Sequence, residues 1–498
     1  MKSTLLFSLL LTSIQVYVLL FFWGLNHEFS QAPHSVHTWR QCDGAAFGLH
    51  YFTYQNALLH PQIYNMELSN GEAVSEFPIV YWLAAKLSGN SFDAANIRWL
   101  YFLCSIIALF AVNATAYTIT HSLVLSFYIS FLPFLSTVFS FYSNNFLPDV
   151  PAVAVMLTAL SCFYFYYKTK KAVWLALCIV FFSLAGLLKP TSLVPYLVLL
   201  SAIFFETLLG RITFTKKLTA SVLHTALLTI PLIVSALWIL FVKYYNTRFG
   251  SAYFRTVPFP IWELDKEDTY HFFGALANRW YGEHFSVATS KVLLAIIPLS
   301  ILIAFKNNRR LGWVLLLFVA LQILIMLLFA GQYYIHDYYA IALFTTPVIA
   351  YTVLFYYLQK NTLWRLLLPL IFIPYTVSEI VYTKEKLKAR FETQWEDRWT
   401  TKLVKCTPHL ANHGLHPNDK ILVLGDPSSC ISLYTLQRKG WTEMNFFRVN
   451  KHESIAMMRT HGLTWVVFFP DAKSKNADLF PNGFKKQFSL EGFEFAQL

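Results

Sequence analysis

The chain has 498 residues, 56% of them hydrophobic and only 13% charged. Soluble domains carry about 25% charged residues, so the composition excludes an ordinary soluble fold and identifies an integral membrane protein. The net charge of +12 does not argue for nucleic acid, because no basic helix or aromatic–basic platform occurs. The six cysteines form no CxxC and no Cys/His cluster, which argues against a zinc site.

In chain order, Lys2 is followed by an apolar run to Trp23 with no small-residue cleavage site after it. This reads as a retained first helix rather than a cleaved signal peptide. About eleven segments have the roughly 20 apolar residues that a helical crossing needs. They lie near 4–23, 97–119, 121–140, 149–167, 172–188, 190–209, 219–243, 289–305, 311–330, 338–358 and 364–382. Alternate gaps between them are short, basic and free of acid: Lys168, Lys170 and Lys171; Arg211, Lys216 and Lys217; Lys306, Arg309 and Arg310; Lys360 and Arg365. Short Lys/Arg-rich loops stay in the cytoplasm. The pattern therefore predicts a multi-pass protein of the cell inner (plasma) membrane with a cytoplasmic N-terminus. Two long outer loops, 24–96 and 244–288, and a C-terminal region, 385–498, fall on the opposite face. Asn113–Ala114–Thr115 matches a glycosylation sequon but lies inside a predicted span and is discounted.

Within the first outer loop, Cys42–Leu59 has aromatic and apolar residues at helical spacing, as in an amphipathic helix lying in the interface. Phe77–Leu87 predicts a second helix, with Pro78 at its start. The other long loop is dense in aromatics suited to the headgroup level. The tail is polar and reads as a small α/β domain: Lys420–Gly425 and Thr464–Phe469 as strands, Ile431–Arg438 and Glu453–Thr460 as helices between them. Its Gly425–Ser429 turn is either a plain turn or an anion site at a helix start; it lacks the nucleotide-binding glycine patterns. Cys406 and Cys430 share this tail, and a disulfide between them is one option in an oxidising compartment.

Ionisable groups at helix mouths mark function by default, and four places on the predicted outer face carry them. The first is His37–Asp43. Asp43 suits a general base and Arg40 a phosphate ligand, or the two are a capping carboxylate and its counter-ion. The second is Glu76–Leu83 with Lys86 one turn on; Glu76 has a cap-like place, and Lys86 either reaches a phosphate or snorkels. The third is Asn144–Pro151, where Asp149 opens a span as a cap or as a contact for a polar acceptor. The fourth combines Lys189–Pro190 with Tyr333–Tyr339. A lysine between two apolar spans is costly unless it faces a cavity or an anion. His336 and the tyrosines offer hydrogen-bond donors to phosphate oxygens, or serve as belt anchors.

The order of these motifs resembles the GT-C superfamily of polytopic glycosyltransferases, in particular family 39-like bacterial members related to protein O-mannosyltransferases and the lipid A aminoarabinose transferase. The resemblance covers roughly residues 1–385. It rests on Asp43 shortly after the first span; Glu76–Phe77–Pro78–Ile79–Val80–Tyr81–Trp82; Asp149–Val150–Pro151; Lys189–Pro190; and His336–Asp337–Tyr338–Tyr339. It departs from the family at Glu76, where many members carry His. The resemblance implies an all-α membrane domain, 1–384, and leaves the small α/β tail, 385–498, outside its reach. It implies transfer of a sugar from a polyprenyl-phosphate donor to a glycan, lipid or protein acceptor at the outer face, with inversion. By the same resemblance Asp43 is the catalytic carboxylate and Asp149 helps to place the acceptor. Lys189 and the His336–Tyr339 turn hold the lipid phosphate, with Arg40, Glu76, Tyr81 and Lys86 as further substrate-binding candidates. No Asp-x-Asp pair occurs on the outer face, so the expectation is a reaction without metal or cofactor. A lipid-linked-sugar flippase or transporter is the alternative; it predicts midplane ions and repeats, whereas the polar groups here cluster at one rim.

Overall fold

The computed structural model describes residues 2–67, 69–208, 218–393, 399–446 and 450–498. They form two compact units. One comprises Met1–Phe29, Trp99–Leu240 and Val257–Ala389; the other comprises Ser30–Arg98, Phe241–Thr256 and Arg390–Leu498.

The first unit is the bundle of apolar helices. Among the described residues, nine helices are long and apolar enough to cross a membrane, from Ser3–Phe22 to Thr362–Phe391. Each of the eleven sequence-predicted segments coincides with helix, but two are not simple spans. Leu123–Leu135 and Thr137–Ser143 form a pair bent by 83°. Pro133 lies just before the break, and Ser136 leaves helical geometry to cap the second piece, its hydroxyl accepting from the Phe139 N–H at 3.3 Å. Ala172–Leu188 has 17 residues, about 25 Å at 1.5 Å per residue, just short of the hydrocarbon thickness. The basic gap with Arg211, Lys216 and Lys217 lies outside the described residues. Leu6, Leu237, Leu240, Leu302 and Leu370 are all exposed, a surface that suits lipid rather than water. One group of polar side chains within the bundle satisfies itself. Asn113 Nδ2 donates to Gln15 Oε1 at 2.7 Å, Gln15 Nε2 to Ser130 Oγ at 2.6 Å, and Ser130 Oγ to Asn113 Oδ1 at 2.8 Å. Asn113 is fully buried in this triangle.

The second unit is discontinuous in sequence. A division at 384/385 treats the tail as a unit by itself; in the structure its core takes in the first outer loop. Ala46, Leu49, Tyr64 and Met66 pack with Leu422, Leu424, Trp441 and Trp465 of the tail. The tail strands are β1 (Lys420–Leu424), β2 (Gly440–Thr442), β3 (Leu463–Phe468), β4 (Lys486–Leu490) and β5 (Phe493–Gln497). They form one sheet in the order β2-β1-β3-β5-β4, parallel among β1, β2 and β3 and antiparallel at β5 and β4. First-loop backbone covers the β2 edge: the Met66 N–H donates to Gly440 O at 2.7 Å and the Gly440 N–H to Tyr64 O at 3.0 Å.

The Thr38–Tyr54 helix is not interfacial: every residue from Gln41 through Tyr51 is buried. The aromatic spacing marked one apolar face, while Gly44, Ala45, Ala46 and Gly48 make the others smooth enough for close packing. A Cβ on Gly48 would come within 2.6 Å of the Phe92 ring. The 241–256 segment is stitched to the first loop by Asn246, which brackets the Val74 backbone at 3.0 and 2.9 Å, and by the Tyr245 hydroxyl, which donates to Glu72.

Gly440 has no room for a side chain: a Cβ would lie 1.8 Å from Ile421 O, a backbone atom. Overpacking a core costs typically about 1–3 kcal/mol, and a backbone clash sits at the upper end. Gly440→Ala is therefore expected to make the tail sheet labile to limited trypsin digestion under conditions where the parent protein resists. Equal digestion rates would count against this register.

Candidate functional site

Each unit holds a cluster of ionisable groups that includes sequence-predicted site residues. In the second unit the cluster is built on the Thr38–Tyr54 helix, which starts after His37, a residue in the left-handed region (φ 56°). Asp43 is the sixth residue of that helix and so is not a capping carboxylate. Trp39, Cys42 and Asp43 share one face at i, i+3 and i+4 spacing. The tail turn after β1 meets this face: Cys430 Sγ lies 3.0 Å from Asp43 Oδ1 and 3.2 Å from Trp39 O. The Tyr253 hydroxyl lies 2.6 Å from Asp43 Oδ1 and 2.8 Å from Ser429 Oγ. With one proton to give, Tyr253 donates to the carboxylate and accepts from Ser429.

The cations are already engaged. Arg40 NH1 is 3.6 Å from Asp43 Oδ2, and Arg40 NH2 is paired with Glu76. Arg40 also lies over the Phe254 ring at 5.4 Å. Burial raises the Asp43 carboxyl above the usual carboxylate range; Arg40, Cys430 and Tyr253 pull it back and Glu76 pushes it further up. Burial, with Asp43 alongside, holds the Tyr253 hydroxyl and the Cys430 thiol well above their ordinary values. Both therefore keep their protons and act as donors, while Asp43 has an enhanced appetite for one.

Other sequence-predicted residues of this unit take different places. Tyr81 is buried and stacks on Phe47 of the Asp43 helix at 5.5 Å. Lys86 is exposed, donates to Gln55 Oε1 at 2.8 Å and lies over Trp82, as a snorkelling lysine does. In the Gly425–Ser429 turn, the buried Asp426 carboxylate accepts from the Ser428 and Ser432 N–H groups at 2.8 and 3.1 Å. The chain's own carboxylate thus fills the place an anion would take, so the turn is a structural one that delivers Ser429 and Cys430. The six cysteines form no disulfide. Cys406 lies against Lys402 O and Leu490 O, away from the neighbours of Cys430.

The first unit's cluster joins the third and fourth predicted places. Asp149 begins its helix after Pro148 and pairs with Lys189, Nζ to Oδ1 at 3.0 Å. Lys189 is the extended residue between two helices, where Pro190 brings no N–H to continue the first. Its ammonium lies 4.9 Å from the Tyr339 ring and 5.8 Å from the Tyr338 ring. His336 stacks on both rings at 5.2 and 6.1 Å, and Asp337 Oδ1 accepts from the Tyr142 hydroxyl at 2.9 Å. The costly lysine is thus compensated by a carboxylate and two π faces.

Tyr253, Ser429, Tyr142 and the donor role of Cys430 are not apparent from sequence reading. Tyr253 and Tyr142 lie in aromatic-rich stretches that single out no one residue. Cys430 carries a signal only as one of two tail cysteines.

No family model and no curated protein matches the sequence. Solved structures do. The Archaeoglobus fulgidus oligosaccharyltransferase tethered to an acceptor peptide matches with TM-score 0.55 and 12% identity, over 99% of this chain and 74% of that one. AglB from the same organism, in complex with an inhibitory peptide and a dolichol-phosphate, matches with TM-score 0.52 and 13% identity, over 97% and 74%. ArnT from Cupriavidus metallidurans in the apo state matches with TM-score 0.49 and 11% identity, over 98% and 97%. The chain shares the fold of these archaeal oligosaccharyltransferase structures.

The Asp149–Lys189 pair supports a stability prediction. Removing one partner of a buried pair leaves a bare charge, at a cost of about 3–5 kcal/mol. Lys189→Met should lower the melting temperature in detergent sharply, and Lys189→Met with Asp149→Asn should recover most of the loss. A single variant as stable as the parent would show that the pair contributes nothing.

Proposed function

We infer that this protein is a membrane glycosyltransferase that moves a sugar from a polyprenyl-phosphate donor to a hydroxyl-bearing acceptor at the outer face of the membrane. The observation that carries the reading is Asp43: a buried carboxylate with raised proton affinity, oriented by protonated Tyr253 and Cys430. That is the environment of a general base, whose ideal pKa lies near the operating pH. The shared fold supports the reaction class, and the dolichol-phosphate in the AglB structure supports a lipid-phosphate donor.

In this reading Asp43 takes the acceptor proton as the acceptor oxygen bonds to the anomeric carbon. The bond from that carbon to the phosphate oxygen breaks, and lipid phosphate leaves. The leaving group is already an anion of low basicity and needs stabilisation of charge rather than a proton. Taken by itself, the first unit offers Lys189 with the Tyr338 and Tyr339 rings as a grip for an anionic group. Because Asp149 already holds Lys189, an arriving phosphate shares that ammonium with it.

Purified protein given labelled polyprenyl-phosphate sugar should release polyprenyl phosphate and label an acceptor. Asp43→Asn, which keeps the shape but not the basicity, should lower the rate by about 100-fold or more. Near-parental transfer by that variant overturns the assignment, and movement of intact lipid without release favours a flippase.

Protonation of Asp43 removes the base, so the rate should fall as pH drops through its raised pKa, above the ordinary aspartate value of about 3.9. Tyr253→Phe deletes a donor that favours the ionised form, so this acid limb should move up by about one pH unit. An unshifted pH profile for Tyr253→Phe would show that the tyrosine does not set the basicity of Asp43.

A further inference from the structure

Two thiols lie against the proposed base, and sugar transfer uses neither as a reactant. Cys42 comes from the Thr38–Tyr54 helix and Cys430 from the turn after β1. Their side chains share one buried cluster with Ile431, flanked by Trp39, Trp399 and Tyr434. Both thiols are buried, and Cys42 alone of the two reaches a cavity. Cys42 contributes to the wall of a cavity of about 480 Å³ that His34, Thr400, Thr407, Tyr434 and Gln437 also line. A space of this size falls in the range that admits small organic ligands. Thiol–disulfide exchange needs access and a thiolate; burial keeps the proton on Cys430, so the attack needs Asp43 Oδ1, 3.0 Å from its sulfur, as proton acceptor.

We propose that Cys42 and Cys430 are a redox pair whose closure to a disulfide switches off the Asp43 site. The regulatory part rests on the reading of Asp43 as the base. The oxidant is a low-molecular-weight disulfide entering the cavity. Cys42 attacks one of its sulfurs, forms a mixed disulfide and expels one thiol. The Cys430 sulfur then attacks the Cys42 sulfur as its proton passes to Asp43 Oδ1, 3.0 Å away. The second thiol leaves with a proton. Two protein thiols are oxidised by two electrons, and one small disulfide is reduced to two thiols.

Closure has two consequences at the carboxylate. Cys430 no longer has an S–H, so Asp43 Oδ1 keeps Tyr253 as its donor and loses the thiol. The sulfurs also draw in from contact to the roughly 2.05 Å of a covalent bond, pulling the Ser429–Cys430 turn and the helix face together. Loss of the donor by itself raises the proton affinity of Asp43; it is the displacement of the carboxylate that slows transfer, since a small misplacement of a reacting group costs about tenfold to a hundredfold.

The test uses the full chain in detergent. Protein is treated with 2-hydroxyethyl disulfide, remaining thiols are alkylated under denaturing conditions, and peptides are mapped by mass spectrometry without reductant. The expected result is a Cys42–Cys430 linked peptide, reversed by dithiothreitol and absent in Cys42→Ser. In parallel, oxidised parent protein should transfer sugar about tenfold more slowly, while Cys42→Ser keeps its rate in oxidant. Alkylation of both cysteines, a mixed disulfide persisting at Cys42, or a Cys406–Cys430 link overturns the pair. A clean link with an unchanged rate overturns the switch. If Asp43→Asn proves active, the base reading fails by itself, and the peptide map still decides whether the two thiols close.

Discussion

The organisation of the second unit depends on one requirement: a buried carboxylate must be supplied with hydrogen-bond donors. Removing an ionised carboxylate from water costs several kcal/mol even after relaxation, while each hydrogen bond to a charged group returns about 1.5–3 kcal/mol. Asp43 meets this requirement with donors 210 and 387 residues away in sequence. The helix after the first span, the 241–256 segment and the tail must therefore fold as one body. The other stitches serve the same closure: Tyr64 and Met66 along the β2 edge, Asn246 around Val74, and Tyr245 on Glu72. The tail is thus part of the Asp43 environment, which explains why its strand-to-helix turn uses its own Asp426 to brace itself. A rigid turn places Ser429 and Cys430 reproducibly.

The first unit solves a different problem. Its outward surface is apolar, so every polar side chain inside needs a partner within the bundle. Gln15, Asn113 and Ser130 satisfy one another in a closed triangle. Asp149 and Lys189 do so as an ion pair at two helix ends. A buried ion pair stabilises a fold little compared with well-packed apolar groups, but losing one partner of it is costly.

What the sequence made legible follows from the range of each interaction. Apolar segments of about 20 residues are a local signal with a strong physical cause, and all eleven coincide with helix. The 83° bend at Ser136 was not legible, because Leu132–Leu135 is as apolar as a straight span and Pro133 is tolerated in membrane helices. β1 and β3 showed as apolar runs; β2, with three residues, and the half-exposed β4 gave no comparable run. The Cys42–Leu59 stretch was misread as interfacial because its aromatic stripe is periodic and its Gly/Ala face carries no hydropathy signal. Asp43 stood out by its place after the first span, yet its environment did not, since Tyr253 and Cys430 reach it across hundreds of residues. Lys86 is a different case. A basic residue one turn beyond a motif looks like a ligand, but its partner is the surface Gln55.

The departure at Glu76 gains a physical meaning from this geometry. A histidine there would leave the Arg40 guanidinium to Asp43 alone, and an undivided cation favours the ionised carboxylate and lowers its basicity. Glu76 takes one side of Arg40 for itself, and its negative charge pushes the Asp43 carboxyl up. Tyr253 and Cys430, both holding their protons, donate to Asp43 and favour its ionised form against the push from burial and Glu76. Glu76 thus shares Arg40 with Asp43: positive charge stays beside the buried carboxylate, while the negative charge of Glu76 adds to the rise in its proton affinity.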